Sequence, residues 1–211
     1  MRICTSNPGK VSEFGGLLAP LDINLDVSGD YDIPETGITF ADNSREKILG
    51  YAKHYSGEWL LADDSGLVIP ALNNLPGPFS ARFSDLDLDT LMIVSSGDDR
   101  EVIDLKNNNR VLELLSNIPH DNRGAYFVAC ITVLNPDGKV SFQVERRAYG
   151  YISKELRGKN GFGYDPLFIS DNSFGKTWAE IDKARKSLIS HRSKAIWDFL
   201  AWICSTSEVI S

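Results

Sequence analysis

The 211-residue chain carries 29 acidic against 22 basic side chains, a net charge of −7, and 42% of its residues are apolar. This balance fits an ordinary globular protein with a sizeable core and excludes bulk binding to nucleic acid, which needs a basic face. No cationic leader precedes an apolar stretch and no apolar run reaches the roughly 18 residues of a membrane span, so one soluble, cytoplasmic domain over residues 1–211 is expected.

Cys4, Cys130 and Cys204 are odd in number and far apart. They read as buried thiols in a reducing compartment. Residues 1–6 form a short strand candidate that runs into T-S-N-P-G-K. Asn7 suits a helix N-cap and Pro8 the first helical position. Val11, Phe14 and Leu18 then share one helical face. A strand turning into a capped helix offers N–H groups and a positive dipole end to a phosphate, with Lys10 one turn in, although an ordinary capped helix has the same sequence. Residues 23–27 read as a second strand. In D-I-P-E-T-G-I-T-F-A-D-N-S-R-E-K, Thr39 and Asp42 are spaced as a capping box and predict a helix over 40–55.

Residues 59–69, W-L-L-A-D-D-S-G-L-V-I, place two adjacent carboxylates between apolar runs. This predicts one strand ending and another beginning at Asp63 and Asp64, with Gly66 allowing a bend. Buried carboxylates need a cation or a partner, and a pair here suits a hard cation such as Mg²⁺; D-S-G is equally ordinary turn chemistry. P-G-P-F-S-A-R is a turn or short helix, and residues 84–104 form an acidic surface excursion with a helical piece. A helix over 107–117 follows. Strands at Gly124–Leu134 and Val140–Ile152 flank N-P-D-G as a hairpin, and their apolar content makes them central. In K-N-G-F-G-Y-D-P-L-F, Gly161 and Gly163 allow close backbone approach, while Phe162 and Tyr164 offer faces for a flat ring or for a core. A C-terminal helix starts near Lys183. It carries K-S-L-I-S-H-R, then a buried stripe of Ile196, Phe199, Leu200 and Ile203.

The ordered set T-S-N-P-G-K, T-G-I-T-F-A-D-N, A-D-D-S-G-L, P-G-P-F-S-A-R, G-F-G-Y-D-P, G-K-T and K-S-L-I-S-H-R resembles the inosine triphosphate pyrophosphatase family, which clears non-standard purine nucleoside triphosphates. The resemblance spans nearly the whole chain. It implies an α/β fold, a bent mixed β-sheet with flanking helices, whose two lobes enclose a nucleotide-binding cleft, and commonly a homodimer. It also implies a phosphate-binding turn at Thr5, Ser6, Asn7, Pro8, Gly9 and Lys10. Magnesium ligands would be Glu35 and Asp64, with Asp64 also the proton acceptor. Substrate contacts would come from Lys47 and Ser65, and nucleoside contacts from Phe162, Gly163, Tyr164, Asp165, Lys186, His191 and Arg192. One departure is Asp42, where the family has Glu, and residues 84–104 match nothing specific in it.

The residues suit that chemistry. Mg²⁺ on a triphosphate neutralises charge developing in phosphoryl transfer, and Lys10 and Lys47 can hold further oxygens. Asp64 can deprotonate water for attack at the α-phosphorus. Arg192 offers donors only and His191 one or two, so both suit a 6-keto purine edge and meet the 6-amino group of adenine donor to donor. Two rivals are a pyrophosphatase for pyrimidine or modified nucleotides and a non-catalytic nucleotide-binding protein.

Overall fold

The computed structural model describes residues 1–19, 26, 27, 31, 33–94 and 97–206. Among these, strands β1 (Arg2–Cys4), β2 (Asp26–Val27), β3 (Leu60–Val68), β4 (Gly124–Leu134), β5 (Val140–Ile152) and β6 (Phe168–Ser170) form one sheet in the order β2-β1-β3-β4-β5-β6. The sheet is mixed: β1 runs parallel to β2 and β3, and β5 antiparallel to β6. Helices α1 (Pro8–Leu18), α2 (Phe40–Ala52), α3 (Arg100–Leu114), α4 (Lys183–Ile189) and α5 (His191–Ser205) complete an α/β fold. None of the described helices is long and apolar enough to cross a membrane.

The chain divides into two compact units. The first comprises Met1–Ser65, Val128–Arg147 and Ser190–Ser211. Its core joins Ile3 of β1, Phe14 and Leu18 of α1, Ile131 and Val133 of β4, and Ile196 and Phe199 of α5. The second comprises Gly66–Phe127 and Ala148–Ile189. There Phe127 stacks on Trp178 at 4.9 Å between ring centroids, and Phe168 meets both rings edge-on. The buried guanidinium of Arg123 donates to the carbonyls of Leu115, Ile152 and Ser153, satisfying three acceptors that would otherwise be costly to bury.

Local chemistry explains most boundaries. Asn7 Oδ1 accepts from the N–H groups of Gly9 and Lys10, starting α1, and Thr39 Oγ1 accepts from the Asp42 N–H, starting α2. The hairpin strands have the expected limits, with Gly138 at φ +76° in the turn. β4 is buried nearly throughout, as suits a strand covered on both faces, whereas β5 is half-exposed along much of its length.

Five sequence expectations are corrected. Cys4 and Cys130 are buried as expected, but Cys204, on the last turn of α5, is exposed. β3 runs unbroken from Leu60 to Val68, with Gly66 inside it, so Asp63 and Asp64 alternate along one strand and do not divide two. α3 begins at Arg100, seven residues before the expected helix, because Asp99 precedes it in extended conformation and Ile103 supplies an earlier buried turn. Phe168–Ser170 is a strand and not part of a loop. The C-terminal helix is two helices: Ser190 is extended (φ −73°, ψ 161°) and its hydroxyl accepts from the Ser193 N–H, capping α5 afresh. Of the second predicted strand, residues 26 and 27 are strand and residues 23–25 lie outside the described residues.

Candidate active site

In the first unit, the middle of β3 brings its carboxylates against cations from three helices. Asp63 is 1% exposed, and its Oδ2 is 2.9 Å from Lys10 Nζ of α1 and 3.1 Å from Arg192 Nε of α5. Ser65 Oγ donates to the same oxygen at 3.2 Å. Lys10 and Lys47 also both donate to the Asp63 carbonyl at 3.2 Å, so α1 and α2 meet at one peptide of β3. Lys47 Nζ pairs with Glu35 at 2.6 Å. Arg192 donates further to Glu13 of α1 at 2.5 Å and to Ser65 Oγ at 2.6 Å. Three of its five N–H donors are thereby directed by two carboxylates and a hydroxyl.

These contacts set the charges. Burial alone would raise Asp63, but Lys10 and Arg192 outweigh it and hold the carboxyl well below the usual range. Arg192 is raised despite burial, through Asp63 and Glu13. Burial lowers Lys10, with Asp63 opposing, whereas at Lys47 the carboxylates of Glu35 and Asp64 overcome burial and the ammonium is raised. Asp64 stands apart. It is 5% exposed and its Oδ1 accepts only the Ser65 N–H among the bonds described. Its Oδ2, like Asp63 Oδ1, is buried without a hydrogen-bond partner, but among the described residues Asp64 has no cation on its other oxygen. Burial pushes Asp64 up to about 6, with Glu35 and Asp63 adding to the rise and Lys10 and Lys47 opposing it. A partnerless buried carboxylate oxygen beside the Glu35–Lys47 pair is the chemistry that accepts a divalent cation; among the described residues no group of three or more acidic, His or Cys side chains would hold one alone.

The other predicted positions are distributed as follows. In the turn before α1, Thr5 is buried and its Oγ1 accepts the Asn7 N–H, while Ser6 is exposed. The Gly9 and Lys10 N–H groups are occupied by the Asn7 cap. His191, 2% exposed, opens α5 in the first unit beside Arg192. Phe162, Gly163, Tyr164, Asp165 and Lys186 lie together in the second unit. Asp165 Oδ2 accepts from the Phe162 N–H at 2.9 Å and from Lys186 Nζ at 2.6 Å, and that ammonium lies 4.8 Å from the Phe162 ring centroid. Gly161, at φ +78°, must lack a side chain, since a Cβ would meet Asp165 Cγ at 2.7 Å. Tyr164 takes the second of the two readings open to it: its ring packs in the core and its hydroxyl donates to the Ser80 carbonyl, which leaves Phe162 as the half-buried aromatic of this loop. Asp42 is exposed, and its carboxylate accepts the Thr39 hydroxyl at 2.7 Å.

Sequence reasoning missed Glu13 and read Asp63 only as one of a carboxylate pair. Asp63 was half visible as the neighbour of Asp64, yet strand alternation gives it different partners. Glu13 was legible only as the carboxylate three residues beyond Lys10, on the same face of α1.

The raised Asp64 has a consequence for stability with a definite sign. Its folded value, about 6, lies above the unfolded carboxylate value near 3.9, so ionised Asp64 destabilises the metal-free fold. The penalty develops as pH rises through that window and is fully present above it, on the order of 3 kcal/mol. Asp64→Asn is therefore expected to stabilise the protein at pH 8 in chelator and to leave stability near pH 4 unchanged, as read by urea unfolding. Equal stability of variant and wild type at pH 8 would contradict the assignment.

Comparison with known proteins shows the family. The sequence matches the Ham1 family over residues 1–202. It is 39% identical over 198 residues to the dITP/XTP pyrophosphatase of Desulforamulus reducens, covering 92% of this chain and 90% of that protein. It is 38% identical to the dITP/XTP pyrophosphatase of Haemophilus influenzae, covering 92% and 93%. Among solved structures, a HAM1 protein from Coxiella burnetii superposes with a TM-score of 0.79 at 33% identity, covering 97% of this chain and 98% of that one. The Staphylococcus aureus Ham1 protein gives 0.76 at 32% identity, covering 97% of each. With agreement in sequence and fold over almost its full length, the chain belongs to the Ham1 family.

Proposed function

We propose that this protein hydrolyses non-standard purine nucleoside triphosphates, those of inosine, deoxyinosine and xanthosine, to the nucleoside monophosphate and pyrophosphate. One observation carries the reading: relatives described as dITP/XTP pyrophosphatases match over about nine-tenths of both chains. The buried cluster on β3 supports it.

Glu35 and Asp64 are the residues that would hold Mg²⁺, and the bound ion would supply neutralisation of charge developing on the phosphoryl oxygens. The partnerless Asp64 Oδ2 fits that role. The chain's own residues do the rest. Lys10 and Lys47 offer ammonium charge to phosphate oxygens, and their shared hold on the Asp63 carbonyl fixes where those charges sit. Asp64, about half ionised near pH 6, is the carboxylate form at neutral pH and accepts a proton from water. That water's oxygen bonds to the α-phosphorus, the bond from the α-phosphorus to the bridging oxygen breaks, and pyrophosphate leaves with the electron pair. Phe162 stacks on the base, while Lys186 and Asp165 hold the loop that carries it.

The test is pyrophosphate release with Mg²⁺ across a panel of purine and pyrimidine triphosphates. Inosine and xanthosine triphosphates should lead the panel, and Asp64→Asn should lower turnover by about 10²-fold or more, the scale of a lost general base. Preferred turnover of a pyrimidine nucleotide would transfer the reading to that class, and undiminished turnover by Asp64→Asn would remove Asp64 from the chemistry.

Arg192 is the proposed reader of the 6-keto edge together with His191. Held by Asp63, Glu13 and Ser65, its guanidinium is pre-oriented, and a keto oxygen would exchange with one of those partners. Arg192→Ala is expected to lower kcat/KM for inosine triphosphate far more than for adenosine triphosphate. An equal fall for both would make Arg192 solely the counter-charge of Asp63 and Glu13.

A further inference from the structure

The stretch that matches no family motif, residues 84–104, ends in a helix that grips the aromatic loop. Asp104 and Asn108 are one turn apart on α3 and face the same residue of that loop. Asp104 Oδ2 accepts the Gly163 N–H at 2.9 Å, and Asn108 Nδ2 donates to the Gly163 carbonyl at 2.8 Å. Both polar groups of one peptide-chain residue are thus satisfied by side chains of one helix. Gly163 sits at φ +59°, a left-handed conformation outside any helix or strand, so these two bonds replace the ladder that regular structure would provide. The clamp is itself braced. Asn108 is 3% exposed and its amide also donates to the Asp104 carbonyl at 2.7 Å, while Arg100 Nε stands 2.9 Å from Asp104 Oδ1.

From this geometry we infer that Asp104 and Asn108 are positioning residues for nucleobase binding, acting through Gly163 on the ring of Phe162. The inference rests on the base-stacking role proposed above for Phe162. Phe162 lies between two anchored N–H groups: its own, bound to Asp165, and that of Gly163, bound to Asp104. With both held, the backbone that carries the ring is fixed on either side of it. With the second released, the left-handed turn can rotate and the stacking face is lost for part of the time, which weakens binding of the base end of the substrate without touching the triphosphate end.

The experiment compares Asp104→Ala, Asp104→Asn and Asn108→Leu with wild type. Asp104→Ala and Asn108→Leu should raise KM for inosine triphosphate, and the inhibition constant of inosine monophosphate, by about tenfold, the scale of a lost buried hydrogen bond. kcat should stay within about twofold, and inhibition by pyrophosphate should not change. Asp104→Asn, which keeps an acceptor oxygen, should recover most of the affinity. Amide hydrogen exchange across residues 161–165 should be faster in Asp104→Ala than in Asp104→Asn. Loss of inosine monophosphate and pyrophosphate affinity in equal measure, wild-type behaviour of Asp104→Ala, or failure of Asp104→Asn to rescue it would each overturn the inference. If Asp104→Ala does not fold, Asn108→Leu carries the same comparison. If wild type turns over no inosine or xanthosine triphosphate, the functional reading fails by itself, and the exchange rates still decide whether α3 holds the loop.

Discussion

A buried carboxylate, Asp63, is the constraint on which the first unit depends. An isolated charge at 1% exposure would be expelled or neutralised. Asp63 is retained because Lys10, Arg192 and Ser65 converge on one of its oxygens. Each partner comes from a different part of the chain, so the ion pairs place α1 and α5 against β3, and the Asp63 carbonyl adds α2 through Lys47. Removing one partner would leave charge buried without compensation, a situation that costs several kcal/mol in comparable buried pairs.

The same pairing leaves its neighbour Asp64 short of partners. Cations in the cluster pair with Asp63, Glu13 and Glu35, and Asp64 is left buried with a single backbone N–H as its described partner. Its carboxyl rises to about 6, where a carboxylate is present at neutral pH yet is basic enough to take a proton. Adjacent residues of one strand thus diverge in opposite directions from one ordinary value, and the difference lies in their partners: three groups on Asp63 against a single backbone N–H on Asp64. A carboxylate with this deficit suits a cation, because one already neutralised by two cations has little to gain from a third.

What the sequence made legible follows from the range of the forces involved. Caps, turns and hairpin limits are set by residues within four positions of one another, so Asn7, Thr39 and the N-P-D-G turn announced α1, α2 and the β4–β5 hairpin directly. The start of α3 was obscured because Asp99 and Arg100 sit in a run of charges without an apolar period, and the break at Ser190 because a second serine cap inside a cationic stretch reads as continuous helix. The ordered motifs led to the family, and with it to Lys10, Lys47, Glu35 and Asp64. Glu13, Asp63, Asp104 and Asn108 act through contacts between segments distant in sequence, from Glu13 with Arg192 to Asp104 with Gly163, and no local pattern marks such pairs. Tyr164 shows the converse: an aromatic in a glycine-rich loop suits a ligand face or a core, and its hydroxyl bond to Ser80 decides for the core.

In the proposed reaction, water activated at Asp64 attacks the α-phosphorus of a purine triphosphate. Hydrolysis of inosine triphosphate in heavy-oxygen water locates the bond that breaks. Heavy oxygen is expected in the phosphate of inosine monophosphate and none in the released pyrophosphate. Label in pyrophosphate, or release of orthophosphate in its place, would contradict it.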